Sequence, residues 1–262
     1  MCRLAAYLGG PEATVSSLVL EPPHSLLVQS HAPREMLSGT VNADGFGAGW
    51  YVPWAGEEPA LYRSTRPIWS DRSFASIAPR TRSRCILAAV RSATPPLVAE
   101  ESGTPPFSSG RYLFAHNGAI EGFQRKVMRR LRHSLSDESY AALSGATDSE
   151  TIFALLLDLL RENEDPGAAL AGTARRVVEL CEERGAAARL NLAVTDGETM
   201  AFTRLASRGR ADSLYVLEDG ATFPQATVVA SERLDGDPKW REVPEGHLLS
   251  VSGAGITLRP LS

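Results

Sequence analysis

Cys2 carries the most chemical promise in this sequence. Its side chain is small enough for an aminopeptidase to remove Met1, and the product bears a thiol and a free α-amine on one residue. An α-amine titrates at about 7.7–8.0, whereas a lysine near about 10.4 needs a large perturbation to act as a base. Nucleophile and base would then arrive together. By position alone Cys2 also reads as an inert edge-strand residue. The strand pattern Arg3-Leu4-Ala5-Ala6-Tyr7-Leu8 begins at the next residue and would fix the terminus in a sheet. Three cysteines cannot all pair within one chain, and their spacing matches no metal site. Cys85, in the run Cys85-Ile86-Leu87-Ala88-Ala89-Val90, and Cys181, on an apolar helix face, read as buried small hydrophobes.

Two further segments end apolar strands in polar residues, Ala89-Val90-Arg91-Ser92-Ala93-Thr94-Pro95 and Phe114-Ala115-His116-Asn117-Gly118-Ala119-Ile120. Arg91 offers a planar fork suited to a ligand carboxylate, and a surface ion pair is the alternative. Asn117 can aim an amide N–H at a developing oxyanion, with the Gly118 N–H as second donor, though Asn-Gly is also a common turn. His116 reads as a general base or as a structural histidine. In Asn42-Ala43-Asp44-Gly45-Phe46-Gly47-Ala48-Gly49-Trp50-Tyr51 the alternate glycines suit a site-lining loop or a structural hairpin. That segment lacks the spacing and following helix of a dinucleotide fingerprint. His24, His31, His133 and His247 are far apart in sequence and read as surface or packing residues.

These groups need elements to hold them. Strand-like runs fall at Arg3–Leu8, Ser25–Gln29, Gly47–Val52, Cys85–Arg91 and Tyr112–Ala115, with a turn from Pro53 to Pro59 and a Pro-rich, Gly-rich loop from Pro95. The middle reads helical. Glu121–Arg132 is a short candidate, and Thr147 with Glu150 forms a capping box before Ile152-Phe153-Ala154-Leu155-Leu156-Leu157. A third helix starts at Asp165 as cap and Pro166 and runs to about Arg184. Strands return at Leu190–Thr195, Thr199–Leu205, Ser213–Val216, Thr227–Ala230, Leu248–Val251 and Ile256–Leu258, with Asp196-Gly197 as a hairpin turn. No linker divides the chain, so the expectation is one α+β domain over residues 1–262 with helices covering sheets.

Composition narrows the function classes. With 27 basic and 31 acidic residues the net charge is −4, and the cluster Arg125-Lys126, Arg129-Arg130, Arg132 has no interleaved aromatics. It reads as a solvated helix face, with an anionic partner or ligand as the alternative, and nucleic acid is not the expected substrate. No apolar run approaches the length of a membrane span or supports a signal peptide, which makes the cytoplasm the default.

The start Met1-Cys2-Arg3-Leu4-Ala5-Ala6-Tyr7-Leu8-Gly9 is one of six segments in order along nearly the whole chain. The others are Asp44-Gly45-Phe46-Gly47-Ala48-Gly49-Trp50, Arg91-Ser92-Ala93-Thr94, His116-Asn117-Gly118-Ala119-Ile120, Thr147-Asp148-Ser149-Glu150 and Ala230-Ser231-Glu232. As a set they resemble the class II glutamine amidotransferases, a group with an N-terminal nucleophile. Within it the chain is most similar to the ergothioneine-pathway γ-glutamyl amidohydrolases.

The resemblance implies a four-layer αββα sandwich with antiparallel sheets and a Cys2 thioester intermediate. It carries the nucleophile onto Cys2, the oxyanion pair onto Asn117 and Gly118, and carboxylate binding onto Arg91 and Thr94. It places the acid that holds the substrate ammonium on Asp148, which also suits a helix start. It implies no metal and no organic cofactor. Two positions depart from many glutamine-using relatives: Ser92 stands in place of tryptophan or histidine, and Pro95, which has no backbone N–H, in place of histidine. The chain's end at Ser262 leaves no room for a synthase, so a free-standing hydrolase of a small γ-glutamyl compound is expected, away from membranes and compatible with a homodimer. An ammonia-supplying amidotransferase subunit, a hydrolase of glutathione-like peptides, and a silent γ-glutamyl-binding module are the alternatives.

Overall fold

The computed structural model describes residues 2–37, 39–92 and 100–261. In chain order its strands are β1 (Arg3–Thr14), β2 (Phe46–Trp50), β3 (Ala60–Ser64), β4 (Arg82–Val90), β5 (Phe107–Ser109) and β6 (Tyr112–Ile120). They continue with β7 (Ala188–Thr195), β8 (Met200–Arg204), β9 (Tyr215–Glu218), β10 (Ala226–Ala230), β11 (Arg241–Glu242), β12 (His247–Ser252) and β13 (Gly255–Pro260). The helices are α1 (Val15–Val19), α2 (Leu26–His31), α3 (Arg72–Ile77), α4 (Phe123–Lys126), α5 (Met128–His133), α6 (Asp137–Ala141), α7 (Asp148–Glu162) and α8 (Pro166–Glu183).

Among the described residues the strands form two antiparallel sheets, ordered β11-β9-β10-β1-β4-β2-β3 and β13-β12-β8-β7-β6-β5. Leu4, Ala6, Leu87 and Ala89 of the first sheet pack with Leu113, Ala115, Ala193, Phe202 and Leu249 of the second in the core between them. Leu18, Leu26 and Phe74 of α1, α2 and α3 pack with Ala5, Tyr7, Ile86 and Ala88 on the outer face of the first sheet. Ile152, Leu156, Leu170 and Val177 of α7 and α8 cover Phe114, Leu190 and Leu192 of the second. This is the four-layer αββα sandwich that the motifs implied.

The alternation of side chains along β1 decides what its first residues can do. Leu4 and Ala6 point between the sheets, while Ala5 and Tyr7 point to the helices. Cys2 therefore shares the inter-sheet face, and Arg3 the outer one. β1 is hydrogen-bonded on both sides, to β10 and β4, with Arg3 opposite Val90 and Ala5 opposite Ala230.

Two elements differ from expectation. Ser25–Gln29 is the start of helix α2, because the Ser25 hydroxyl caps it by accepting the Val28 N–H at 3.5 Å, and adjacent Leu26 and Leu27 suit a helical face better than an alternating strand. The helix expected over Glu121–Arg132 is interrupted at Val127, which is buried in the core under α7 and α8. The reciprocal half of the capping box is also unmade. Thr147 accepts the Glu150 N–H at 3.1 Å, but the Glu150 carboxylate takes the N–H groups of Ser144 and Gly145.

A buried ion pair anchors the start of β1. Arg3 Nε donates to Glu232 Oε1 at 2.8 Å and Arg3 Nη1 to the Cys2 carbonyl at 3.0 Å. His24 Nε2 meets Glu232 Oε2 at 2.7 Å, and the N–H groups of Arg34 and Glu35 donate to the same carboxylate. Burial alone would raise the Glu232 pKa. His24, the Arg34 N–H, Arg3 and the Glu35 N–H outweigh it and hold the carboxyl at about 2. A folded-state pKa below the unfolded one contributes stability that is complete above about pH 4.5 and lost as pH falls toward 2. Glu232→Gln leaves Arg3 buried without its counter-charge and should lower stability at pH 7 by about 3–5 kcal/mol in urea unfolding. The gap to the wild type should narrow as pH drops below 4.5; a gap that stays constant down to pH 2 would refute this role.

Candidate active site

Cys2 opens onto a cavity of ≈ 380 Å³ between the ends of the two sheets, shared with Arg91, Ser92, Gly118, Asp148 and Ser149. Burial pushes the Cys2 thiol up, while the positive chain terminus, the Ser92 backbone N–H bonded to it, and Arg91 pull it down. Asp148 adds to the upward push. Cys85 and Cys181 are buried as expected, with thiols pushed up by burial to about 12 and about 11. Neither lines this cavity.

Arg91 follows directly on β4. Its N–H donates to the Gly45 carbonyl at 2.8 Å, and its own carbonyl accepts the Asp44 N–H at 3.0 Å. The Asp44-Gly45 segment therefore braces Arg91 from behind and is absent from the cavity lining. The guanidinium is almost fully buried, with Nη1 at 3.5 Å from the Glu100 carbonyl. Gly103 makes room for it, since a Cβ there would lie 2.9 Å from Arg91 Nη2.

Asp148 sits at the first position of α7 behind the Thr147 cap. Its Oδ1 accepts the Ser149 N–H at 2.8 Å and its Oδ2 the Ile120 N–H at 3.0 Å. The helix start and strand β6 thus hold one carboxylate at the cavity wall, where the helix dipole favours the anion. Cation and anion reach the same cavity from different elements.

Asn117 and Gly118 lie on β6. Gly118 borders the cavity, and a Cβ on it would collide with the Arg189 carbonyl, so no side chain fits. Asn117 is fully buried on the inter-sheet face, with Nδ2 donating to Ser231 Oγ at 3.3 Å. That bond commits one of two amide hydrogens and leaves the second free to donate. Ser231 Oγ also accepts the Leu4 N–H at 3.0 Å, tying Asn117 to the strand that carries Cys2. Thr94 and Pro95 lie outside the described residues.

His116 lines the cavity, but both ring nitrogens have protein partners. Nε2 donates to the Arg189 carbonyl at 2.9 Å, and Nδ1 lies 3.0 Å from Ser149 Oγ. These contacts favour its structural reading. Sequence reasoning did not find the His24–Glu232–Arg3 cluster or the buried Asp212, because partners separated by up to 229 positions leave no local pattern. Among the described residues no group of three or more His, Cys, Asp or Glu is placed to hold a metal ion, and no helix is long and apolar enough to cross a membrane.

The sequence profile of class II glutamine amidotransferases matches residues 23–259. Over 262 residues, with both chains covered in full, the sequence is 39% identical to the γ-glutamyl-hercynylcysteine sulfoxide hydrolase of Mycolicibacterium smegmatis. It is 40% identical to the protein of that name from Mycobacterium tuberculosis, covering 100% of this chain and 97% of the relative. A solved class II domain protein from Silicibacter pomeroyi superposes with a TM-score of 0.72 at 28% identity, covering 99% of each chain. The allosteric regulatory enzyme of purine biosynthesis, at 16% identity and a TM-score of 0.68, shares the fold and is spanned over 49% of its length. The full-length relatives extend the match across the Cys2 end that the profile leaves out, and the chain is an amide-cleaving enzyme of the class II glutamine amidotransferase family.

Proposed function

We propose that this enzyme hydrolyses γ-glutamyl hercynylcysteine sulfoxide to glutamate and hercynylcysteine sulfoxide, a step of ergothioneine biosynthesis, through a Cys2 thioester. One observation carries the site: a single cavity joins a cysteine next to the chain terminus with a buried arginine and a helix-start aspartate. Opposite charges suit the carboxylate and ammonium of a glutamyl head, with Arg91 holding one and Asp148 the other. Thr94 belongs to the carboxylate contact by resemblance. The relatives' shared name, at 39% and 40% identity over essentially full length, supports the choice of leaving amine.

In this reading Met1 is removed and the Cys2 amine takes the thiol proton, directly or through water. The sulfur attacks the γ-carbonyl carbon, and the second Asn117 hydrogen and the Gly118 N–H hold the oxyanion. The C–N bond breaks, the leaving nitrogen takes the proton, and a γ-glutamyl thioester remains. Water, deprotonated by the same amine, attacks that thioester to give glutamate and restore the thiol. We place this reaction in the cytoplasm on a small-molecule substrate, with neither nucleic acid nor membrane involved and with homodimer formation compatible.

Purified protein treated with a glutamine-like diazoketone should gain one label, on Cys2, in a chain whose intact mass lacks Met1. Full turnover by protein that retains Met1 would end the mechanism. Turnover should be faster on γ-glutamyl hercynylcysteine sulfoxide than on glutamine or glutathione; the reverse ranking removes this substrate and keeps the hydrolase. Arg91→Lys, which gives up the planar fork, should raise KM on the order of tenfold or more with a smaller effect on kcat. An unchanged KM in steady-state assays would remove Arg91 from substrate binding.

A further inference from the structure

Ser231 joins the two sheets at the Cys2 end of the sandwich, and the reaction described above gives it no part. It is fully buried and follows directly on β10. Its N–H donates to the Leu4 carbonyl at 2.9 Å, and its Oγ accepts the Leu4 N–H at 3.0 Å. The β10–β1 ladder, in which Ala230 stands opposite Ala5, is thereby carried one residue further, with a side-chain hydroxyl standing where a backbone carbonyl accepts elsewhere. The Ser231 oxygen is therefore fixed to β1 two residues from the nucleophile.

The same Oγ accepts Asn117 Nδ2 at 3.3 Å from the other sheet. A hydroxyl oxygen has two lone pairs, and here Leu4 and Asn117 take both. Among the described residues this is the one hydrogen bond of the Asn117 side chain, whose Oδ1 has no partner. Asn191, opposite it in register, offers it no hydrogen, because Asn191 Nδ2 donates to the Asp212 and Ser213 carbonyls at 3.0 and 3.2 Å. The terminal torsion of an asparagine is broad and roughly two-fold, so the amide can present nitrogen or oxygen at the same place. Only the nitrogen end can serve an oxyanion.

We propose that Ser231 is a positioning residue for the oxyanion site: by accepting one Asn117 amide hydrogen it sets the rotation of the amide and turns the second hydrogen to the oxyanion. The inference rests on the reading of Asn117 as an oxyanion donor. Because Leu4 holds the accepting oxygen, the donor on β6 is aligned to the strand that carries Cys2, although the two lie in different sheets. Ser231 acts through Asn117 and touches no substrate atom. Its loss weakens an interaction made in the transition state, so it lowers kcat and spares KM.

A double-mutant cycle on γ-glutamyl hercynylcysteine sulfoxide tests this. Asn117→Ala should lower kcat on the order of a hundredfold and Ser231→Ala about tenfold, each with KM little changed. Added to Asn117→Ala, Ser231→Ala should cost less than about threefold more, since the group it orients is gone. A larger further loss means that the serine serves the strand or the core, and overturns the proposal; so does a kcat within about threefold of the wild type in Ser231→Ala alone. Should Ser231→Ala fail to fold, the two Nδ2 proton signals of Asn117 decide, followed by 15N NMR in the wild type as a glutamate γ-aldehyde forms a hemithioacetal with Cys2. One signal should shift while the other, held by Ser231, stays; movement of both or of neither refutes the proposal. An unaltered kcat in Asn117→Ala sinks the oxyanion reading and this one with it. A slow Asn117→Ala, with a Ser231→Ala loss that persists beside it, sinks this one alone.

Discussion

Arg3 and Glu232 are both buried, and the free energy spent in taking their charges out of water has to be recovered within their immediate surroundings. The recovery is local and complete on the carboxylate side, where Arg3, His24 and two backbone N–H groups converge on two oxygens. Chain termini ordinarily fray, because nothing beyond the last residue helps to hold it. Here the first strand is paired on both edges, and the guanidinium reaches back to the Cys2 carbonyl, so the first peptide units are held by strand and ion pair together. Each feature of the cavity presupposes this clamp, since a mobile Cys2 would have no defined relation to Arg91, Gly118 or Asp148.

Apolar runs bounded by Gly, Pro and polar residues made Cys85–Arg91 and most of the second-half strands legible, and the Thr147 and Asp165 caps fixed both long helices. Ser25–Gln29 misled because a short apolar run carries no period, and a single capping hydroxyl decided it. Candidate residues of the site were legible where a polar group ended an apolar strand, as at Arg91 and Asn117. Asp148 was readable only through resemblance, because an acid behind a capping threonine looks like ordinary helix chemistry. Its two readings prove compatible. The position that suits the dipole is also the one that borders the cavity. Asp212 and the Glu232 cluster were illegible, since the contacts that define them join distant strands.

The charges in the cavity are held by backbone more than by side chains. Arg91 is fixed through its own peptide groups to Gly45 and Asp44, and Asp148 through the N–H groups of Ile120 and Ser149. Backbone partners are set by the fold and cost no side-chain entropy to position. That arrangement leaves the guanidinium edge and the carboxylate oriented before any ligand arrives, which in the proposed reading lowers the cost of binding a glutamyl head.

The inter-sheet space changes character along its length. Around Leu4, Leu113, Ala193 and Phe202 it is apolar and packed, while at the Cys2 end it holds Asn117, Asn191, Ser231 and Asp212. A buried polar layer is worth less than apolar packing unless every member is satisfied, and among the described residues several of its oxygens have no protein partner. Stability is given up at that end of the sandwich. In return the register becomes hard to slip: moving β7 by two residues against β6 would set Ala193 opposite Asn117 and strand Asn191 away from the Asp212 and Ser213 carbonyls. The polar groups that weaken this end of the core are therefore also the ones that hold the oxyanion candidates in line with the nucleophile.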